Sequence, residues 1–251
     1  MHRFYLPPEA CRGETLTLSG REAHHALHVL RLREAARVSV LDGAGGELHC
    51  EVCAHKHGTV ILRVLARNTV PALPFCITLL QAIPKGKIIE SIIQKATELG
   101  AVRIVPILSE RVATHLDAES AEAKAEKWQL VAIEAMKQCG NAWLPRVEPP
   151  LTVENYLARN EPFEFPLIGC LEPDSRHPRE YVREFVAAHQ RSPHSVCVWV
   201  GPEGDFTPAE YRAIKHSGAR PITLGRLILR SETAATYCLS ILNYELQAPK
   251  I

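Results

Sequence analysis

Two stretches carry the residue types most able to do chemistry. VGPEGDF, residues 200–206, ends an apolar run at Gly201-Pro202-Glu203-Gly204. LGRLILRSETAA, residues 224–235, places Arg230 and Glu232 at the entrance to a small, apolar helical segment. A Gly- and Pro-rich turn directly after a buried strand suits a ligand held by main-chain groups. An arginine two residues from a glutamate offers a fixed positive charge and a proton acceptor. Each feature also has a plain structural reading. Pro and Gly in that order fit a type I turn without any ligand. Glu232 suits the first turn of a helix by its charge, and Arg230 could pair with it. No Walker phosphate loop, Rossmann glycine fingerprint, HExxH or GxSxG occurs. Phosphate cradling, metal hydrolysis, serine hydrolysis and nicotinamide chemistry therefore lack their usual marks. What remains is a set of backbone-rich loops able to hold an adenine and an amino acid with few diagnostic side chains.

The elements that must position these loops follow from periodicity. RFYL, ETLTLSG, RVSVLDG, GELHCEV and TVILRVLAR read as strands separated by turn residues. Asp42 to Gly46 makes a hairpin between two of them rather than a dinucleotide turn, because a strand and not a helix follows. One helix, Arg21 to Arg31, interrupts this region, with Ser19 and Glu22 spaced as a capping box. Beyond Pro71 and Pro74 the pattern changes. FCITLLQAI, VRIVPIL, FPLIGCL, SVCVWVG and PITLG are continuous apolar runs, as in strands covered on both faces. Helices are predicted over Lys87 to Leu99, with Gly100 as stop, and over Glu119 to Cys139. Thr207-Pro208-Ala209-Glu210 is a complete helix start. Ser231 is placed to cap a last helix, Glu232 to Leu246. Alternating strands and helices give an α/β fold with a parallel sheet, and ligands in such sheets bind beyond the carboxyl ends of the strands.

The chain has 251 residues, 46% hydrophobic and 23% charged, as in an ordinary soluble globular protein. Its 29 basic and 28 acidic residues leave a net charge of +1, so any nucleic-acid site must be a local basic patch. No stretch has the apolar length of a membrane helix, and the N-terminus lacks a signal peptide's apolar core. A cytoplasmic location is expected. Eight cysteines are scattered along the chain, and the lone CxxC, Cys50 and Cys53, lies in a strand where the two face opposite sides. Buried or half-buried thiols and no metal are expected.

VGPEGDF paired with LGRLILRSETAA resembles the signature of SPOUT-class RNA methyltransferases. HRFYL, HHALHVLRL (24–32), LDGAGGEL, QAIPKGKIIESIIQKATELG (81–100), VPILSER (105–111) and EAMKQCG (134–140) narrow the resemblance. Together they are similar to the 16S ribosomal RNA uracil-N3 methyltransferase family, named for uridine 1498, over nearly the whole chain.

The resemblance implies a PUA-like small β-barrel over residues 1–72 that helps hold RNA. It implies a SPOUT methyltransferase domain over 73–251, with a parallel sheet and a C-terminal trefoil knot. S-adenosylmethionine would be held mostly by backbone at Leu171, Glu172, Pro173, Gly201, Pro202, Leu224, Gly225, Ile228, Leu229 and Thr233. Arg230 would stabilise the uracil anion and Glu232 would accept its proton. Arg3, His25, Arg31, Lys85, Lys87, Lys95 and Arg111 are candidate RNA contacts, with His24, Arg33 and Arg103 beside them. The implied partners are 16S rRNA, within the 30S subunit, and a second copy of the chain. Leu227 and Asn141 stand where the family commonly has Arg. Two other readings remain open at this point: a SPOUT enzyme for a different rRNA or tRNA nucleotide, and a non-catalytic RNA-binding protein.

Overall fold

The computed structural model describes residues 1–111 and 117–247. The chain divides into two units. The first comprises Met1–Ala72 and Ile133–Leu144, the second Leu73–Ala132 and Pro145–Ile251.

In the first unit, strands β1 (His2–Tyr5), β2 (Thr15–Leu18), β3 (Arg37–Leu41), β4 (Gly46–Lys56) and β5 (Thr59–Thr69) pair in the order β1-β3-β4-β5-β2. Only β1 and β3 run parallel. Alternation sends Leu16, Leu18, Val38, Val40, Leu48, Val52, Val60 and Leu62 into one core shared by all five strands and completed by Phe4. His57 and Gly58, both at positive φ, make the two-residue turn between β4 and β5. Cys50 is buried and Cys53 exposed, on opposite faces as the spacing requires.

The helix of this unit departs from expectation. It is a short α1 (Gly20–His24) running into a π-helical turn, His25–Val29. The capping box does not form. Ser19 makes no side-chain cap bond, and the Glu22 carboxylate instead accepts from the Tyr5 backbone N–H at 3.2 Å and from Lys137 Nζ at 2.8 Å. Lys137, only 6% exposed, also donates to Glu134 at 2.9 Å. A buried ammonium needs such carboxylates around it. Residues 133–144 are held further by Met136 and Ala142, which pack on Leu41, and by Trp143, whose indole N–H donates to the Val70 carbonyl at 3.0 Å.

The second unit is a parallel sheet of seven strands. These are β6 (Cys76–Ala82), β7 (Arg103–Leu108), β8 (Arg146–Val147), β9 (Leu151–Thr152), β10 (Phe165–Gly169), β11 (Ser195–Val200) and β12 (Arg220–Ile222). Their order is β12-β10-β11-β6-β7-β8, with β9 on β7. Helices α2 (Ile88–Glu98), α3 (Ala118–Cys139), α4 (Val153–Leu157), α5 (Pro178–His189), α6 (Pro208–His216) and α7 (Ser231–Gln247) connect and follow them, and the final residues of α3 count with the first unit. One sheet face packs Leu80, Val105, Ile168 and Trp199 against Tyr156 of α4 and Ile214 of α6. α7 contacts α2, α5, β6 and β11. Coverage on both faces explains the unbroken apolar runs of the central strands.

β8, β9 and α4 were too short to show a period. Cys53, Cys76 and Cys139 are exposed, against the expectation of buried or half-buried thiols. Arg103 is taken up by Glu161 at 2.6 Å, Glu148 at 3.5 Å and the Thr78 hydroxyl at 3.4 Å. No described helix is long and apolar enough to cross a membrane.

Candidate active site

Beyond the carboxyl ends of β10, β11 and β12, three loops converge on an open cleft, the place where parallel sheets hold their ligands. Its walls are Gly169, Cys170 and Leu171 after β10, Val200 to Glu203 and Asp205 after β11, and the 224–229 segment without Arg226; Ser231 and Ala234 come from α7.

The first wall is tied to β12, since the Cys170 N–H donates to the Ile222 carbonyl at 3.1 Å. Burial raises the Cys170 thiol pKa, and its sulfur lies 3.5 Å from the Tyr211 hydroxyl. It is therefore a protonated packing group at neutral pH and not a nucleophile.

The second wall shows why residue 201 is glycine. A Cβ there would lie 2.7 Å from Asp205 Oδ1 and 3.3 Å from Asp205 Cα. The sequence suggested that this glycine admits a ligand; the nearest neighbour is the protein's own carboxylate. Asp205 itself adopts φ +60°, and its N–H closes the turn on the Pro202 carbonyl at 2.9 Å. Glu203 has a partner that the sequence could not assign. Its carboxylate accepts from the Lys85 backbone N–H at 3.1 and 3.4 Å, which ties the loop after β6 to this turn. The Arg111 guanidinium donates to the Gly204 carbonyl from the loop after β7.

The third wall turns at Gly225, where φ is +106°. Leu227 and Ile228 are 76% and 82% exposed at its rim. Two branched apolar side chains left in water forgo roughly 1.5–3 kcal/mol each, which a ligand or a partner covering them would recover.

α7 supplies the base. Ser231 was expected to cap this helix, but its hydroxyl instead donates to the Gly201 carbonyl at 2.8 Å. It also accepts from Gln81 Nε2 at 2.9 Å, and Gln81 donates in addition to the Ala82 carbonyl at 2.8 Å. Gln81 is fully buried, and its Oε1 has no partner among the described residues. This relay fixes the Gly201 carbonyl from β6 through α7. Ser231→Ala leaves that carbonyl without its donor and the Gln81 amide with only its bond to the Ala82 carbonyl, at an expected cost of about 1–3 kcal/mol. The check is the denaturant midpoint, which should fall with an unchanged m-value.

Of the residues expected at the cofactor, Leu171, Gly201, Pro202, Leu224, Gly225, Ile228 and Leu229 line the cleft, while Glu172, Pro173 and Thr233 do not. Arg230 is exposed and Glu232 half-buried, both flanking the cleft, and neither takes part in an ion pair among the described residues. The pairing of Arg230 with Glu232 is thus not formed. Gly169, Cys170 and Asp205 in the lining, and the buried Gln81 behind it, were not foreseen, since a linear pattern does not report which loops come together.

The basic candidates fall into two groups. Lys85 and Lys87 are exposed on the loop after β6, and Arg31, at φ +51°, is exposed after the π-helical turn. Others are engaged within the protein. Arg3 donates to the Lys137 and Gln138 carbonyls, each at 3.2 Å, Lys95 pairs with Glu98 at 2.9 Å, and His25 meets the Phe4 ring edge-on. Asn141 accepts from the Trp143 N–H at 3.0 Å, a turn-forming bond.

The chain matches the family described as "RNA methyltransferase domain" over residues 71–243 and that described as "RNA methyltransferase PUA domain" over 18–65. It is 32% identical over 249 residues to the ribosomal RNA small subunit methyltransferase E of Synechocystis, spanning 98% of this chain and 78% of that protein. Among solved structures it is similar to a methyltransferase from Legionella pneumophila in complex with the bound cofactor SAM, with TM-score 0.86, 31% identity and 96% of each chain covered. It is also similar to ribosomal RNA small subunit methyltransferase E from Neisseria gonorrhoeae bound to S-adenosyl methionine, with TM-score 0.83, 28% identity and 97% of each chain covered. An α/β fold with a parallel sheet, a PUA region and a match across most of the chain place it in one group: the protein belongs to the RNA methyltransferase family that includes ribosomal RNA small subunit methyltransferase E.

Proposed function

We propose that this protein methylates N3 of a uridine in 16S ribosomal RNA, the family's position 1498, with S-adenosylmethionine held in the cleft between the loops after β10, β11 and β12. The observation that carries the reading is the lining of that cleft. It is apolar and backbone-rich, it includes the carboxylates of Glu203 and Asp205, and no Lys, Arg or His is among its lining residues. Such a surface disfavours the phosphates of a nucleotide cofactor and suits a cationic one. The relatives' names and the S-adenosyl methionine in the similar structures point the same way.

When bound, S-adenosylmethionine supplies a methyl group already activated by its sulfonium. Leu171, Leu224, Ile228 and Leu229 offer apolar walls for an adenine, and the turns at Gly201 and Gly225 offer main-chain groups. The protein's remaining task is one proton. Uracil N3 carries an imide hydrogen and becomes nucleophilic only as that hydrogen leaves. Glu232 accepts it, directly or through water. Arg230 stabilises the charge spreading to O2 and O4. Arg31, Lys85 and Lys87, being exposed, hold phosphates.

The finer architecture belongs to the same proposal. Closure of the first five strands into a PUA-like barrel spanning residues 1–72 is supported by their single shared core. A trefoil knot within 73–251 is supported by the run of 170–177 along β12. There Arg176 N–H donates to the Pro221 carbonyl and Thr223 N–H to the Arg176 carbonyl, and α7 then returns to β6 and β11. A homodimer is supported by exposed Tyr237 and Tyr244, two turns apart on α7. The place of action is the cytoplasm, on the 30S subunit.

The test is mass mapping of 16S rRNA from a strain lacking the gene, with and without the protein restored. The expected result is one N3-methyluridine lost and regained. An unchanged uridine, or a methyl group lost at another nucleotide, overturns the proposal.

A further inference from the structure

The two acids of the cleft each accept a backbone N–H and differ in burial. Glu203 is exposed, and its carboxylate accepts the Lys85 N–H. Asp205 differs. It is partly buried, it lines the cleft, and among the described residues its Oδ1 accepts only the N–H of the following residue, Phe206, at 2.8 Å. No cation lies within ion-pair distance of it among the described residues; Arg111 attracts it from farther off while donating to the Gly204 carbonyl. Burial pushes its carboxyl pKa up, the mark of an anion short of compensation. The backbone holds it there at a cost, since φ +60° is a conformation that side-chain-bearing residues rarely adopt. Asp and Asn tolerate it best.

We infer that Asp205 is the residue by which the cleft distinguishes a positively charged methyl donor from its neutral product. The inference rests on the reading of the cleft as the S-adenosylmethionine site. At neutral pH that donor carries one more positive charge than S-adenosylhomocysteine, because transfer of the methyl group removes the sulfonium. An uncompensated carboxylate in a partly desolvated cleft attracts the first and is indifferent to the second. Binding of donor thus supplies the charge that Asp205 lacks, and methyl transfer withdraws it. Product release is favoured without any change in the contacts to adenine or ribose, which the two molecules share.

Isothermal titration of the full chain with S-adenosylmethionine and with S-adenosylhomocysteine, in wild type and in Asp205→Asn, tests this. Asparagine keeps the size, the acceptor for the Phe206 N–H and the tolerance for positive φ, and removes only the charge. The expected result is about a tenfold loss of affinity for the donor, with the product bound as before. Equal losses for both ligands, or no loss for either, overturn the inference while leaving the cofactor site standing. A change of preference produced by Glu203→Gln and not by Asp205→Asn also overturns it. Wild-type protein that binds neither ligand removes the site itself, and the inference with it.

Discussion

Arg230→Ala is expected to lower kcat for rRNA methylation by about 10²–10³-fold while leaving affinity for S-adenosylmethionine within about threefold of wild type, the magnitude found when one preorganised donor to a developing oxyanion is removed. The side chain stands outside the cleft formed after β10, β11 and β12, is exposed at the end of its third wall, and has no carboxylate partner among the described residues. A guanidinium left unpaired at that junction performs no ion-pair duty whose loss could weaken the fold. Its removal should therefore show in the transition state alone. The signature is a fall in kcat and kcat/KM by the same factor under single-turnover conditions. Arg230→Lys restores charge without the planar fork and should recover part of the rate. A rate for the alanine variant within about threefold of wild type would remove Arg230 from the mechanism.

The largest effect on stability is expected at Glu210, which touches neither cofactor nor RNA in the proposed scheme. It is 6% exposed and serves three donors: the Thr207 N–H at 2.8 Å, the Ser109 hydroxyl at 3.0 Å and the Glu110 N–H at 2.9 Å. The first closes the capping box of α6, directly after the turn that carries Gly201 and Asp205. The other two hold the loop after β7 to the same helix. Hydrogen bonds to a charged group contribute roughly 1.5–3 kcal/mol each, and some of the freed donors reach water. Glu210→Ala should therefore cost about 3–4 kcal/mol, lowering Tm by about 6–16 °C at roughly 2–4 °C per kcal/mol for a chain of this size. Glu210→Gln retains one acceptor oxygen and should fall between. Calorimetry reads both, and an alanine variant within about 2 °C of wild type would show that these bonds are replaced by solvent.

Glu210 also illustrates what a sequence can and cannot disclose. Thr207 with Glu210 and Ser19 with Glu22 have the same spacing and the same promise. The first pair forms its box; the second does not, because Glu22 is claimed by Lys137 and the Tyr5 N–H from distant parts of the chain. Strands and long helices were legible because burial on one or two faces leaves a period, as in Leu16 and Leu18 or in Ile92, Ile93 and Ala96, although in the same helix Ile89 rather than Ile88 is the buried residue. The two loops that frame the cleft were legible because Gly, Pro and isolated charges interrupt apolar runs. Ser231 was legible as a helix start but not in its bond to the Gly201 carbonyl, and Glu203 not at all, since each partner lies at least thirty residues away. Asp205 looks like any turn aspartate until the cleft is assembled around it.

The return of residues 133–144 to the first unit bears on how the chain is made. Leu41, Tyr5 and Glu22 leave the ribosome early, but Met136, Ala142 and Lys137, which cover them, follow about ninety-five to a hundred and forty residues later. At roughly 5–20 residues per second, Met136 and Lys137 reach Leu41 and Glu22 about 5–30 s after these are made, and until then Leu41 lacks its cover and Glu22 its ammonium partner. Residues 1–72 by themselves lack the part of their unit's packing that residues 133–144 supply. A gene fragment ending at Ala72 is expected to associate or to be degraded, and one that adds the 133–144 strap in trans should be rescued.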